Sequence, residues 1–179
     1  FVLEEQVNLS YILQEEKSVR DSLTHLYNHE TFYEELEYHM KRYEEKKETF
    51  SVMIADIDNF KKVNDTYGHA FGDEVIRQVV VAFAEGHGNN DFSARYGGEE
   101  FVCYLSDVGP EKAKIVAYRL RETISKLVIY SDEGKPFGFT VSIGISSSEI
   151  SDNIDTLIKT ADEALYRAKE NGRNRCEVF

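Results

Sequence analysis

Tryptophan is absent from the chain, and only two prolines, two methionines and two cysteines occur in its 179 residues. Cys103 and Cys176 have no close partner in sequence, so neither a zinc knuckle nor a disulfide framework is encoded. Cys103 alternates with Phe101 and Leu105 along a β-prone run and reads as a buried thiol. No apolar run approaches the length of a membrane span or a secretory signal. Positive charge is also scarce: 21 basic residues stand against 33 acidic ones, for a formal net charge of -12. That balance excludes a broad surface tracking nucleic-acid phosphates, and an anionic ligand would need a local basic pocket or a bound metal. With 41% hydrophobic and 30% charged residues, the chain has the make-up of one folded domain. It begins with Phe and opens inside a helical pattern, which suggests a segment of a longer protein.

What is present centres on Ala94 to Leu105, where two extended runs meet at Gly97-Gly98 followed by Glu99-Glu100. This reads as a hairpin with acid at its tip. The glycines are expected to supply positive φ angles for a tight turn and to let another molecule approach the backbone. Two adjacent carboxylates repel, so a site that keeps both ionised is easiest to account for with a cation between them.

Along the chain, Val2, Leu9, Ile12, Val19, Leu23 and Leu26 fall on a heptad-like seam over residues 1–26. Such a segment forms either a short parallel coiled coil or an amphipathic helix lying on its own domain, and the spacing favours the former. Asp21 to His29 is rich in turn formers. His25 and His29 are four apart, a spacing that can hold a metal on a helix, but they straddle this turn. Phe32, Leu36, Met40 and Tyr43 mark a helix from Glu30 to Lys47. Thr49 to Ile57 predicts a central strand ending in Asp56-Ile57-Asp58, with Asp58 expected to cap the short polar helix Asn59 to Tyr67. The amides at the start of that helix, with Lys61 and Lys62, suit phosphate oxygens.

A further helix follows Gly68 to Asp73, with Phe71, Val75, Val79, Ala82 and Phe83 on one face. The hairpin comes next, then a helix beginning at Pro110, a strand over Phe137 to Ile145, a helix from Ile154 closed by Gly172, and a short edge strand over Arg175 to Phe179. The fold class expected is α+β, with a mostly antiparallel central sheet flanked by helices and an N-terminal helix in front. If the strand ending at Asp56 lies beside the hairpin, Asp56, Glu99 and Glu100 converge and suit Mg²⁺ or Mn²⁺, ions that prefer oxygen ligands and polarise phosphoryl groups.

Spaced blocks then carry a resemblance. Asp21-x-Leu23-Thr24-x-Leu26-x-Asn28 comes first. The long run Asp56-Ile57-Asp58-x-Phe60-Lys61-x-Val63-Asn64-Asp65-x-Tyr67-Gly68-His69-x-x-Gly72-Asp73 follows. Ala94-Arg95-x-Gly97-Gly98, Ser142-Ile143-Gly144 and the segment Ala161 to Asn174 complete the set. Over about residues 21 to 175 the chain resembles a GGDEF domain, the diguanylate cyclase family, in a Gly-Gly-Glu-Glu-Phe variant. The resemblance implies a core similar to nucleotidyl cyclases and polymerase palms, and condensation of two GTP molecules into cyclic di-GMP with release of pyrophosphate.

It further implies that Asp56, the Ile57 carbonyl, Glu99 and Glu100 hold the metal, and that Glu99, Glu100 and Lys61 carry the chemistry. Asn64, Asp73, His69 and Phe60 would meet guanine, and Lys61, Lys169 and Arg173 the phosphates. A carboxylate at Asp73 accepts from both N1-H and the 2-amino group of guanine, a pattern adenine lacks. Partners implied are GTP, a second copy of the domain and an upstream sensor, with no nucleic acid. The domain is expected in the cytoplasm, in a multidomain or membrane-bound sensor. A GTP-binding regulatory module without turnover is the alternative.

Two departures stand out. Relatives carry an inhibitory Arg-x-x-Asp before the turn, where this chain has Gly88-Asn89-Asn90-Asp91; the arginine is missing and Asp91 is retained, so feedback through that site is expected to be weak, with Arg119 as another cation able to bind product. His25 and His29 stand where relatives show Gly and Arg.

Overall fold

Every residue of Phe50–Ile57 is buried, which makes this strand, β1, the centre of the molecule. The computed structural model describes residues 5–7, 19–151 and 153–179. In chain order its elements are α1 (His29–Lys46), β1, α2 (Phe60–Tyr67), α3 (His69–Gly86), β2 (Phe92–Arg95), β3 (Glu100–Ser106), α4 (Pro110–Ser125), β4 (Ile129–Tyr130), β5 (Pro136–Phe137), β6 (Val141–Ser147), α5 (Ile154–Glu170) and β7 (Cys176–Val178). Five strands form one sheet in the order β2-β3-β1-β6-β7. All pairs are antiparallel except β6 with β7. The α+β class and the mostly antiparallel sheet are as the sequence predicts.

The period-two alternation of strand side chains divides the core into two layers. Met53, Ala55, Ile57, Phe101, Cys103, Leu105, Ile143 and Ile145 face α2, α3 and α4 in one cluster. Val52, Ile54, Val102 and Tyr104 face α1 and α5 in the other. Cys103 is fully buried, as its alternation with Phe101 and Leu105 predicts, and burial pushes its thiol up to about 12.

Helix α5 lies unusually close to the sheet because β6 presents Ser142, Gly144 and Ser146 to it. A Cβ at Gly144 would stand 2.1 Å from the Ala161 carbonyl and 2.2 Å from the Leu165 nitrogen. The helix answers with Ala161, Ala164 and Ala168, all fully buried. This seat fixes where the C-terminal end of α5 falls, and so places Lys169.

The sequence reading needs four corrections here. Leu23 and Leu26 do not lie on a helical seam; residues 21–24 turn, and both leucines pack against the main core. The remainder of that seam apart from Val19 lies outside the described residues. The expected strand from Phe137 to Ile145 is split, because Gly138 to Thr140 separate β5 from β6, and β5 pairs with β4 in a separate two-stranded ribbon. Gly97 and Gly98 do not have positive φ. The Glu100 side chain instead lies over Gly97, where a Cβ would meet its Oε2 at 2.8 Å and the carboxylate would have to move.

Asp58 does not cap α2, whose N-cap is Asn59 in the left-handed region without a side-chain cap bond. Asp58 is buried and accepts from Thr140 Oγ1 and Ser142 Oγ, both at 2.7 Å, and from the Asn174 N–H at 3.0 Å. Three donors satisfy a carboxylate that would otherwise be costly to bury.

Candidate active site

The register of β1 against β3 pairs Asp56 with Glu100, so the acid at the end of the central strand and the acid after the glycine turn are neighbours across one sheet edge. The Ile57 N–H donates to the Glu99 carbonyl at 3.2 Å and extends this pairing into the turn. Asp56 is 6% exposed, and Lys169 Nζ lies 3.2 Å from its Oδ2. Burial raises the Asp56 carboxyl to about 6; Lys169 works against the rise, and Glu99 and Glu100 add to it. Glu99 is raised too, first by burial and then by Glu100, with Lys169 opposing.

Among the described residues no group of three His, Cys, Asp or Glu side chains is arranged as a coordination sphere. The Glu100 Oε2 folds over Gly97. The donor set nevertheless fits a hard divalent cation. Glu99 and Glu100 raise the proton affinity of Asp56, Glu100 does the same for Glu99, and an ammonium already lies on Asp56, so this end of the sheet attracts positive charge.

Helices α2 and α3 form the wall beside this edge. Phe60 is buried at the start of α2, and Asn64 stands one turn later. The Asn64 Oδ1 is buried without a hydrogen-bond partner. His69 opens α3 and is exposed, and Asp73 follows one turn on, half-buried. Lys61 and Arg173 are exposed and make no ion pair among the described residues, so both cations are free to meet an anion. Arg173 sits in a left-handed turn at φ 63°, whose neighbour Asn174 is pinned by Asp58. The structure thus gathers Asp56, Ile57, Glu99, Glu100 and Lys169 at one edge, and sets Phe60, Asn64, His69 and Asp73 on two successive helices.

Sequence reasoning gave no role to the pair that braces the turn. Arg95 Nη1 reaches both carboxylate oxygens of Asp21, at 3.2 and 3.3 Å, and Nη2 donates to the Gly98 carbonyl at 2.8 Å. Burial works against the Asp21 charge, but hydrogen bonds from Thr24 and the Arg95 guanidinium outweigh it and hold the carboxyl below its ordinary value. The signal was available, because both residues lie inside the matched blocks.

The two unusual histidines also find places. His25 occupies a left-handed position at φ 58°, which glycine adopts without steric cost. His29 packs between Tyr33 and Tyr96, with ring centroids 4.9 and 4.6 Å away. In the loop before β2, Asp91 accepts from the Gly88 N–H at 2.7 Å and the Ser106 N–H at 2.9 Å, so its carboxylate is engaged in holding its own loop.

A mostly antiparallel sheet with helices on both faces, and carboxylates paired across the ends of β1 and β3, defines an α+β domain. The family model described as diguanylate cyclase, GGDEF domain, matches residues 18–175, and the chain belongs to that family. It is 40% identical over 173 residues to Diguanylate cyclase A of Treponema denticola, a match that covers 94% of this chain and 46% of that protein. The chain thus spans less than half the length of that curated relative. Among solved structures, the coiled coil and GGDEF domain of DgcB from Caulobacter crescentus, in complex with c-di-GMP, is 28% identical with a TM-score of 0.92 over 99% of this chain and 94% of that one. The active GGEEF domain of a diguanylate cyclase from Vibrio cholerae is 30% identical with a TM-score of 0.79, over 85% and 96% of the two chains.

Proposed function

We propose that this domain is a diguanylate cyclase that joins two GTP molecules into cyclic di-GMP and releases two pyrophosphates. The observation that carries this reading is the cross-strand pairing of Asp56 with Glu100, with Lys169 on Asp56, beside the α2–α3 wall. Guanine is held by Asn64 and Asp73, with Phe60 and His69 at its edge, and Asp73 selects GTP over ATP by accepting from N1-H and the 2-amino group. Lys61, Lys169 and Arg173 bind the phosphates, which offsets the acidic character of the domain.

Asp56, the Ile57 carbonyl, Glu99 and Glu100 would hold Mg²⁺ or Mn²⁺, which would supply Lewis-acid polarisation of the phosphoryl group. Glu99 takes the proton of the ribose 3′-hydroxyl, a role its raised affinity for protons suits. The 3′-oxygen then bonds to the α-phosphorus of the second GTP as the bond to the β-phosphate breaks and pyrophosphate leaves. Lys61 stabilises the charge that develops there.

One such site holds one GTP, so closing the ring takes two copies of the domain face to face. A dimerising segment and an upstream sensor in the whole protein would raise their effective concentration and control how they pair. Specific activity should therefore rise with protein concentration.

The test is incubation with GTP and Mg²⁺, assayed for cyclic di-GMP and pyrophosphate beside Glu99→Gln. The variant is expected to lose about 100-fold or more in turnover while still binding GTP. GTP binding by the wild type without either product would favour a regulatory module instead. An Asp73→Ser variant that keeps the full preference for GTP over ATP would remove the assignment of base recognition to Asp73.

A further inference from the structure

We propose that Gly72 is a positioning residue for Asn64: it forms a notch in α3 that seats the Asn64 amide and so sets how that amide meets a bound guanine. The proposal rests on the reading of α2 and α3 as the base-recognition wall.

Gly72 lies buried within α3, four residues into the helix. Its φ is not positive, so the backbone does not require glycine there. In a helix interior glycine is less favourable than alanine. Local structure therefore argues against this residue, and the reason for it lies in its surroundings. A Cβ on Gly72 would stand 2.0 Å from Asn64 Oδ1, 3.1 Å from Asn64 Cγ and 3.2 Å from Phe60 Cζ. All three atoms belong to Asn64 and Phe60, the two side chains of α2 that are assigned above to guanine.

The Asn64 oxygen in this notch has no hydrogen-bond partner, although it is buried. An unpaired buried acceptor opposes stability. Neither helix propensity nor hydrogen bonding thus explains the seat. What the notch does provide is room for one pose, in which the amide oxygen rests against α3 and the amide nitrogen is left for a ligand. Holding a recognition group in place before binding lowers the entropic cost of binding.

Gly144 provides the contrast within the same protein. There an added Cβ meets backbone atoms of α5, and the fold itself must give. At Gly72 it meets the far end of a side chain that can swing away. An added methyl group is thus accommodated by evicting the amide, with the fold kept.

The experiment uses the 179-residue chain with Gly72→Ala, Asn64→Ala and the double variant. It measures the Kd of a non-hydrolysable GTP analogue, KM and kcat for cyclic di-GMP formation, and Tm. Gly72→Ala is expected to raise Kd and KM about tenfold, within the range a missing base contact produces, with kcat falling less. Its Tm should be unchanged or higher. In the Asn64→Ala background the same methyl should change Kd by less than about twofold, because the group it displaces is gone.

A Gly72→Ala protein with unchanged Kd, beside an Asn64→Ala protein with weakened Kd, overturns the proposal alone. So does an equal loss in both backgrounds, or a fall in Tm that accompanies the loss of affinity. An unchanged Kd in Asn64→Ala overturns the base-recognition reading and the proposal with it.

Discussion

Arg95 joins Asp21, in the segment ahead of α1, to the Gly98 carbonyl in the glycine turn, with one guanidinium serving both. The two side chains are 19% and 20% exposed, so this ion pair is largely out of water and well shaped for a forked donor. It fastens the segment leading into α1 to the turn that carries Glu99.

Arg95→Ala should destabilise the domain by about 2 kcal/mol, the scale of hydrogen bonds to a charged group, and should lower turnover further by loosening the turn. Arg95→Lys should not restore either property, because an ammonium cannot reach a carboxylate and a carbonyl with a planar fork. Urea unfolding and the cyclase assay measure the two effects. Full recovery by lysine would mean that charge alone matters.

The same pair sets part of the acid response. The folded Asp21 carboxyl lies below its ordinary value of 3.8, so its contribution is present above that pH and is lost as pH falls through the folded value. Asp21→Asn should lower stability at neutral pH and flatten the acid limb below about pH 4. A profile parallel to that of the wild type would show that Asp21 adds nothing to the limb.

Gly144→Ala should cost about 3 kcal/mol, the upper range for overpacking, because the new methyl group meets the backbone at Ala161 and Leu165. Lifting α5 would also draw Lys169 from Asp56. Thermal unfolding measures the first effect, and a KM for GTP that rises in the folded fraction reports the second.

Asp91 should act as a loop anchor. Asp91→Ala is expected to lose about 1 kcal/mol through its two backbone hydrogen bonds and to leave sensitivity to cyclic di-GMP unchanged. Product inhibition that disappears in Asp91→Ala would reverse the expectation drawn from Gly88.

The helices and the central strand were legible because their apolar spacing is strong, as in Val75, Val79 and Phe83 or Leu157, Ala161 and Leu165. The junction of Asp56 with the turn was legible because strands that end in carboxylates bring them together when they pair in register. What was hidden depended on the third dimension. Asp58 reads locally as a helix cap, yet its donors come from Thr140, Ser142 and Asn174. Gly97 reads as a turn former with positive φ, yet its φ is not positive and the Glu100 side chain lies over it. Leu23 and Leu26 continue a helical spacing past the point where Asp21 and Thr24 turn the chain. In each case a local pattern was overridden by contacts with residues that spacing does not reveal.

The three donors to Asp58 lie 82, 84 and 116 positions further along the chain. During synthesis β1 leaves the ribosome long before Asn174 exists to close that cluster, and Lys169 is also made late. Contacts of such long sequence separation form slowly and cannot form piecemeal. The nascent domain therefore cannot finish the site around Asp56 until almost all of it has been made, and an incomplete chain released early would lack both the lysine and the turn that holds Arg173.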